Sequence, residues 1–142
     1  MWAPVYPAAA APPPLRLPLA LSAVAAGFPS PATDHMDGAL DLNALMVRRP
    51  SATFFVRVQG ESMRDAGIYE GDLLVVDRAE PPTDGAVVLA ILDGEFTVKR
   101  WRHRDGRWQL HADHPDYPPI DIGERDFEIW GVVTHTVRTL AR

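Results

Sequence analysis

The sequence contains no cysteine, and this absence excludes several kinds of chemistry. Disulfides, thiolate nucleophiles and cysteine-ligated zinc or iron sites all require that side chain. No apolar run reaches the roughly 20 residues that a membrane-spanning helix needs. Positive charge is also scarce, because 14 Lys and Arg stand against 19 Asp and Glu, for a formal charge of -5. We therefore expect neither a membrane protein nor a surface built mainly to neutralise nucleic acid phosphates.

The remaining composition is typical of one folded domain. The chain has 142 residues, of which 46% are hydrophobic and 23% are charged. Independent domains usually need about 100 to 150 residues, so there is room for one core. No motif for a cofactor occurs in the sequence. We therefore predict a single cytoplasmic domain that uses no cofactor and no resident metal.

The first 26 residues differ in composition from the rest of the chain. They contain nine Ala and six Pro, and Arg16 is their only charged side chain. The prolines favour extended geometry and block helix, so residues 1–26 are predicted as a flexible arm whose first half builds no core. The segment from Leu17 to Ala26 is also typical of the end of a secretory signal peptide, but residues 1–15 lack the basic start of one. Residues 27–50 are predicted as a connector, with a short helix around Leu40 to Val47.

Beyond Pro50, β-branched and aromatic residues predict strands that are separated by Gly or Pro clusters. The predicted strands are Thr53 to Val58, Leu73 to Asp77, Ala86 to Leu92, Glu95 to Trp101, Arg107 to Ala112 and Phe127 to Val137. No convincing amphipathic helix occurs over the same stretch. Residues 51–142 are therefore predicted to form a compact, mainly antiparallel β domain.

Asp93 and Gly94 predict a tight hairpin between two of these strands. An Asp-Gly pair favours the type I′ turn, in which both central residues have positive φ. The resulting register pairs Val88 with Lys99 and places Thr97 on the same face as Lys99. The other expected neighbours of the ammonium group are small or apolar, namely Val88, Ala90 and Trp101. The alternative interpretation is a lysine on a sheet edge that extends into water.

A serine follows the first predicted strand, in the run Gly60-Glu61-Ser62-Met63. A glycine lets the backbone bend, which suits a nucleophile at this place, although serines beside glycines are also common in ordinary turns. Serine becomes a good nucleophile only when a neighbouring base takes its proton, and a neutral lysine can be that base. Burial can lower a lysine pKa from about 10.4 by up to about 3 to 5 units, which makes Lys99 a candidate general base.

Two long motifs of the chain are SATFFVRVQGESMRDAGIYEGDLLVVD, from Ser51 to Asp77, and DGEFTVK, from Asp93 to Lys99. In this order they resemble motifs of the LexA and UmuD family of self-cleaving serine peptidases, and the resemblance is closest to the UmuD branch. Shorter matches lie at Gly27 to Ala32, Asp41 to Asn43 and Gly131 to Val133. The resemblance therefore covers roughly residues 26 to 140, and it implies the family's β-rich peptidase domain behind a flexible arm.

The resemblance also implies a role for particular residues. Ser62 would be the nucleophile, Lys99 the general base, and the bond between Ala26 and Gly27 the peptide bond that is cut. The arm would then be a tethered substrate, which accounts for its small, apolar end. By their position, the backbone N–H groups of Glu61 and Ser62 are the candidates for an oxyanion hole.

The biological role that the resemblance implies lies in the SOS response. A RecA filament on single-stranded DNA would stimulate the cut, and the shortened homodimer would serve a UmuC-like, Y-family polymerase in error-prone translesion synthesis. Direct binding to operator DNA is not expected, because an arm rich in Ala and Pro cannot form the helix-turn-helix of a LexA-like repressor. The alternative functions are an interaction module that does not cut itself and an endopeptidase that acts on other proteins.

Two other groups of residues suggest different chemistry. Candidates for a metal site, or for a Ser-His-Asp triad with Ser62, are His103, His111, Asp113, His114, Asp116 and His135, although their spacing matches no standard zinc motif. A basic and aromatic cluster that could contact a polymerase or DNA consists of Arg100, Trp101, Arg102, Arg104, Arg107 and Trp108. In an acidic chain, a solvated hairpin edge is the simpler interpretation of this cluster.

Overall fold

The computed structural model describes residues 5–19, 26–27 and 38–141, which contain ten strands and one α-helix. The strands are β1 Val5–Pro7, β2 Leu17–Leu19, β3 Gly38–Leu40, β4 Thr53–Arg57, β5 Leu73–Asp77, β6 Val87–Leu92, β7 Glu95–Arg104, β8 Arg107–His111, β9 Ile120–Asp121 and β10 Phe127–Val137. The α-helix α1 is Leu42–Met46, and 3₁₀ helices lie at Pro50–Ala52 and Arg64–Ala66. No helix in this part of the chain is long and apolar enough to cross a membrane.

Eight of these strands form one sheet in the order β1-β4-β5-β10-β6-β7-β8-β9. Every neighbouring pair in this sheet is antiparallel, and β2 and β3 pair separately. The predicted mainly β, antiparallel fold class is therefore confirmed. Strand β7 lies inside the sheet between β6 and β8, so Lys99 is not on a sheet edge.

All the strands predicted beyond Pro50 are present, and the largest difference is at the end of β7. This strand was expected to end at Trp101 and continues to Arg104. The reason is a second Asp-Gly turn, in which Asp105 and Gly106 have φ values of 52° and 73° and join β7 to β8. The sequence pattern does not predict β9, which is only 2 residues long.

The first Asp-Gly turn has the predicted geometry. Asp93 and Gly94 have φ values of 50° and 83°, as a type I′ hairpin requires. The register of β6 and β7 pairs Ala90 with Thr97 and Val88 with Lys99. The turn residues therefore determine where Lys99 stands in the sheet.

The N-terminal region contributes a strand to the sheet. Strand β1 pairs with β4, and Val5 packs against the core from a place opposite Val56. The expectation that the first half of the arm builds no core is therefore wrong at Val5, because an extended segment can pair with a sheet edge and bury one apolar side chain. The boundaries predicted at residues 26 and 50 stay predictions, and residues 20–25 and 28–37 lie outside the described part of the chain.

The expected short helix of the connector is present as α1. It begins after Asp41, whose carboxylate accepts hydrogen bonds from the backbone N–H groups of Asn43 and Ala44 at 3.0 and 3.4 Å. This is the usual N-cap arrangement, and it satisfies donors that the first turn of a helix leaves unpaired. The cap explains why the helix begins at Leu42 rather than at Leu40.

The core consists of two clusters, which share strand β6. Leu89 belongs to one cluster and its neighbours Val88 and Ala90 to the other, because successive side chains of a strand point to opposite faces. The first cluster consists of Val56, Val58, Met63, Ile68, Leu74, Val76 and Leu89. The second consists of Val88, Ala90, Trp101, Leu110 and Val132. The first cluster includes Met63, so the loop that carries Ser62 is packed on that side of the sheet.

Candidate active site

Ser62 lies in the loop between β4 and the 3₁₀ helix Arg64–Ala66, whereas Lys99 lies in the middle of β7. The loop turns at Gly60, whose φ of 84° is in the left-handed region that favours glycine. Met63, the residue after the serine, is only 3% exposed and belongs to the first cluster. The burial of this side chain holds the loop against the sheet.

The side chains of Ser62 and Lys99 meet at hydrogen-bond distance. Lys99 Nζ lies 2.9 Å from Ser62 Oγ, 3.0 Å from Thr97 Oγ1 and 3.2 Å from the carbonyl oxygen of Val98. A base that takes a proton from a serine must lie within about 2.6 to 3.2 Å of the hydroxyl oxygen. The structure therefore brings together the predicted nucleophile and the predicted base, together with the expected neighbour Thr97.

Ser62 and Lys99 line a cavity of about 130 Å³. Its wall consists of Val56, Arg57, Val58, Gln59, Gly60, Met63, Leu89, Phe96, Thr97 and Val98. The apolar neighbours expected for Lys99 do not line this cavity, since Val88, Ala90 and Trp101 all belong to the second cluster. The register nevertheless places Val88 opposite Lys99 as predicted, and the apolar wall of the cavity comes from residues of the other face, such as Met63 and Leu89.

Burial lowers the pKa of the Lys99 ammonium below its ordinary value of 10.5. A neutral lysine amine has two N–H donors and one lone pair, and Nζ has three partners here. In that form Nζ donates to Thr97 Oγ1 and to the carbonyl of Val98, and its lone pair accepts the hydroxyl proton of Ser62. The protonated form donates to all three oxygens, so the same contacts hold the side chain in both protonation states.

The backbone around Ser62 has N–H groups available for an oxyanion. Within residues 5–19, 26–27 and 38–141, the amides of Glu61, Ser62 and Met63 donate no hydrogen bond. By contrast, the Gly60 N–H donates to the Glu70 carboxylate at 3.3 Å. Unpaired N–H groups beside the nucleophile are what an oxyanion hole requires. The assignment of the Glu61 and Ser62 amides to that role stays a prediction.

The predicted cleavage bond is accessible but does not lie in the cavity. Ala26 and Gly27 are both exposed, and neither lines the cavity with Ser62. A Cβ atom added to Gly27 would meet nothing within 4 Å. Val24, Ala25 and the motif from Phe28 to Ala32 lie outside the described residues. The Ala26–Gly27 site therefore stays a prediction.

No histidine among the described residues lines the cavity. His111 Nε2 lies 2.8 Å from Gln109 Oε1, on a strand that is not part of the cavity wall. The hydroxyl of Ser62 has Lys99 as its side-chain partner, so the geometry favours a Ser-Lys pair over a Ser-His-Asp triad. In the described part of the chain, no three His, Asp or Glu side chains are grouped so that they could hold a metal ion.

The predicted basic and aromatic cluster is ordered by stacking and by ion pairs. The Trp101 ring stacks on Trp108 at a centroid distance of 4.6 Å. Arg104 and Arg107 lie 3.7 Å from the carboxylates of Asp84 and Asp121. For these exposed arginines the interpretation as a solvated hairpin edge holds.

Sequence reasoning missed the connection between Arg100 and Asp113. Both side chains are only 22% exposed, and the guanidinium donates two hydrogen bonds to the carboxylate. The interpretation of Arg100 as part of a solvated edge is therefore wrong. No local pattern signals the pair, since the two residues are 13 positions apart and meet only when β8 pairs with β7.

Comparison with known proteins gives the family of the chain. Residues 18–134 match the family model described as Peptidase S24-like. The chain is 50% identical over 117 residues to protein SamA of Salmonella typhimurium, covering 82% of this chain and 81% of that protein. It is 46% identical over 123 residues to protein MucA of Escherichia coli, covering 85% and 84%, and 37% identical over 127 residues to the LexA repressor of Proteus mirabilis, covering 88% and 62%. The chain therefore belongs to the S24 peptidase family, as a UmuD-like member.

Proposed function

We propose that this chain cuts its own peptide bond between Ala26 and Gly27, with Ser62 as the nucleophile and Lys99 as the general base. The observation that carries the proposal is the 2.9 Å contact between Lys99 Nζ and Ser62 Oγ beside an apolar wall. Membership of the S24 family supports a serine peptidase, and the lowered pKa of Lys99 supports a neutral base.

The chemistry follows from these groups. Neutral Lys99 takes the hydroxyl proton of Ser62 while Oγ attacks the carbonyl carbon of Ala26, and the oxyanion accepts hydrogen bonds from the Glu61 and Ser62 amides. Collapse breaks the C–N bond, and the Lys99 ammonium gives its proton to the departing amine of Gly27. A water molecule, deprotonated by Lys99, then attacks the ester that joins Ala26 to Ser62. The bond to Oγ breaks, the Lys99 ammonium returns the proton to Oγ, and residues 1–26 leave with a free carboxylate.

The exposed position of Ala26 and Gly27 makes this cut conditional. The bond must move into the cavity before it can react. Small residues on both sides of the bond let its backbone approach Ser62 without steric conflict. Because the bond and the pair Ser62 and Lys99 belong to one chain, docking is intramolecular, and such linkage can raise the effective concentration to about millimolar. Docking between two copies is the alternative route. Docking also excludes water from Lys99, which favours its neutral form.

The same proposal includes a place in the SOS response. A RecA filament on single-stranded DNA stimulates the cut, and the shortened chain serves as a homodimeric accessory subunit of an error-prone, UmuC-like polymerase of the Y family. The protein acts in the cytoplasm in translesion synthesis and does not bind operator DNA directly. The family membership and the relatives support this role, and a formal charge of -5 suits a protein that reaches DNA through its partners.

The test is mass spectrometry of the purified chain, incubated with and without RecA, ATP and single-stranded DNA. We expect a product that begins at Gly27, formed faster with the filament. Ser62→Ala and Lys99→Ala should each slow the cut by at least about 1,000-fold, and the double variant should be no slower, because residues of one catalytic unit fail together. Ser51→Ala, at another exposed serine near the start of β4, is the matched control and should cut at the normal rate.

Gly27→Glu tests the substrate half of the proposal. Because a Cβ at Gly27 meets nothing within 4 Å, this change should leave the fold intact and block only docking of the bond in the cavity.

Three other outcomes would favour the alternative functions. An intact wild-type chain that still binds the polymerase would indicate an interaction module, and cleavage of added proteins would indicate a general endopeptidase. Export of Ser62→Ala with an N-terminus at Gly27 would identify the arm as a signal peptide.

A further inference from the structure

Hydrogen bonds within the loop that carries Ser62 define its turns, but they do not set the position of the loop relative to β7. Within the loop, the Arg64 N–H donates to the carbonyl of Glu61 and the Ala66 N–H to that of Met63, both at 3.1 Å. Bonds of this kind close short turns. They do not determine the distance between Ser62 and Lys99, which is 37 positions away in the sequence.

Asp113 holds this loop from outside at two points. Its backbone carbonyl accepts a hydrogen bond from the Asp65 N–H at 2.8 Å, and its backbone N–H points to Met63 Sδ at 3.4 Å. Met63 directly follows Ser62, and Asp65 lies in the 3₁₀ helix that comes next. A displacement of Asp113 would therefore be transmitted to the nucleophile.

Arg100 in turn fixes Asp113 to the strand of the base. The guanidinium Nε and Nη2 donate to Asp113 Oδ2 at 2.9 and 2.6 Å, and Nη1 donates to the carbonyl of Gly85 at 2.7 Å. Arg100 directly follows Lys99 on β7. The pair is largely shielded from water, and shielding makes an ion pair stronger than an exposed one.

We propose that Arg100 and Asp113 are positioning residues for the dyad, because their ion pair ties the Ser62 loop to β7 and keeps Ser62 Oγ within reach of Lys99 Nζ. This inference deepens the proposed function and rests on it. The connection runs from Lys99 to Arg100 along the strand, across the ion pair to Asp113, and through Met63 to Ser62. A misplacement of about 1 Å can cost about 100-fold in rate, so a pair outside the cavity can control the reaction.

The variant Asp113→Asn tests the proposal, because asparagine keeps the size of the side chain and the backbone contacts but loses the charge. The matched control is Asp93→Asn. Asp93 also accepts two hydrogen bonds from one arginine on a single oxygen, at 3.0 and 2.5 Å from Arg125, but it lies at the hairpin tip. Asparagine tolerates the φ of 50° at that position.

Three quantities are measured on the full chain well below its unfolding temperature, where nearly all molecules stay folded and the two rates at Ser62 do not change through lost stability alone. They are the self-cleavage rate, the rate at which a fluorophosphonate labels Ser62, and the hydrogen-exchange rate of the Asp65 amide. We expect Asp113→Asn to lower the first two by about 10- to 100-fold and to speed exchange at Asp65 by about 10-fold. Exchange at Val75 in β5 should not change, and Asp93→Asn should change each quantity by less than about twofold.

The outcomes separate this inference from the proposed function. A wild-type chain that is labelled at Ser62 but never cuts itself would disprove self-cleavage, and the inference would then be judged by labelling and exchange. Unchanged exchange at Asp65 in Asp113→Asn would overturn the inference whether or not the chain cuts itself. Equal acceleration at Asp65 and Val75 would also overturn it, because that result indicates a general loss of stability. If Arg100 and Asp113 act as a pair, adding Asp113→Asn to Arg100→Gln should not lower the self-cleavage or labelling rate any further.

Discussion

Ser62 and Lys99, the two members of the proposed dyad, are held in opposite ways. Lys99 stands on an interior strand, with β6 and β8 on either side and an Asp-Gly turn at each end of β7. Ser62 belongs to no strand or helix of the described chain, and its loop is held by the buried Met63 side chain and by the backbone hydrogen bond from Asp65 to Asp113. The comparison teaches that local sequence places Lys99, whereas contacts between distant residues place Ser62.

The far end of the same loop is also held by an arginine and an aspartate. Arg138 donates to both carboxylate oxygens of Asp72, at 2.7 and 2.6 Å, and to the carbonyl of Gly67 at 2.9 Å. Asp72 is only 1% exposed, and its hydrogen bond from Arg138 lowers the pKa of the carboxyl group. The loop that carries Ser62 is therefore held by one Arg-Asp ion pair at each end. Such pairs are typical of a segment that lacks the backbone hydrogen bonds of a sheet.

The largest expected effect concerns Lys99, which is held by the strands. It is the dependence of the self-cleavage rate on pH. Because burial lowers the pKa of Lys99, the neutral fraction should rise about tenfold per pH unit up to that pKa, and the rate should then level off. Lys99 is the only lysine in the chain, so selective ¹⁵N labelling gives a single side-chain amine signal. The midpoint of its titration should match the midpoint of the rate. A rate whose midpoint differs from the midpoint of the Lys99 titration would show that another group is the base.

The same titration should make the free energy of unfolding depend on pH. The folded chain loses the Lys99 proton at a lower pH than the unfolded chain does, since the folded pKa lies below 10.5. Between these two pKa values the unfolded state binds more protons than the folded state. The free energy of unfolding should therefore increase as pH rises through this range. Urea unfolding of the wild type and of Lys99→Met should reveal it as a difference in slope against pH.

The next prediction compares a substitution in a strand with a substitution in the loop that carries Ser62. A Cβ at Gly131 in β10 would lie 2.5 Å from Val76 Cγ1, and such overpacking costs about 1 to 3 kcal/mol. Gly131→Ala should lower the free energy of unfolding by that amount and leave the cleavage rate of the folded protein near normal. At Gly60 a Cβ meets nothing within 4 Å but a φ of 84° strains any other residue, so Gly60→Ala should mainly slow cleavage. Urea unfolding and cleavage are measured on both variants, and a reversed pattern would contradict the comparison.

The smallest expected effect concerns Thr97, which belongs to the strand side. Its hydroxyl is 3.0 Å from Lys99 Nζ, and Thr97→Val removes this partner while keeping the shape of the side chain. The loss of one hydrogen bond of about 1 kcal/mol corresponds to a rate about fivefold lower on the high-pH plateau. Thr97→Ser keeps the hydroxyl and should cleave at nearly the normal rate. A loss in Thr97→Ser with none in Thr97→Val would show that the methyl group, rather than the hydrogen bond, matters.

Much of the fold and half of the site follow from patterns that neighbouring residues create. The Asp93-Gly94 turn predicted the register of β6 and β7, and through it the place of Lys99 and its neighbour Thr97. The strand ends were close for the same reason, since Gly, Pro and β-branched residues act on the backbone next to them. The extension of β7 to Arg104 was also predictable, because Asp105 and Gly106 repeat the same turn signal.

What the sequence by itself determined is therefore the antiparallel strands, their turns and the position of Lys99, all of which depend on interactions between nearby residues. Only the tertiary structure decided that Ser62 meets Lys99, that Met63 and Leu89 rather than Val88 and Ala90 form the apolar wall, and that Arg100 pairs with Asp113. These contacts depend on how a loop packs against a sheet. Packing is set by the volumes and charges of side chains that are far apart in the chain, and no local pattern encodes their meeting.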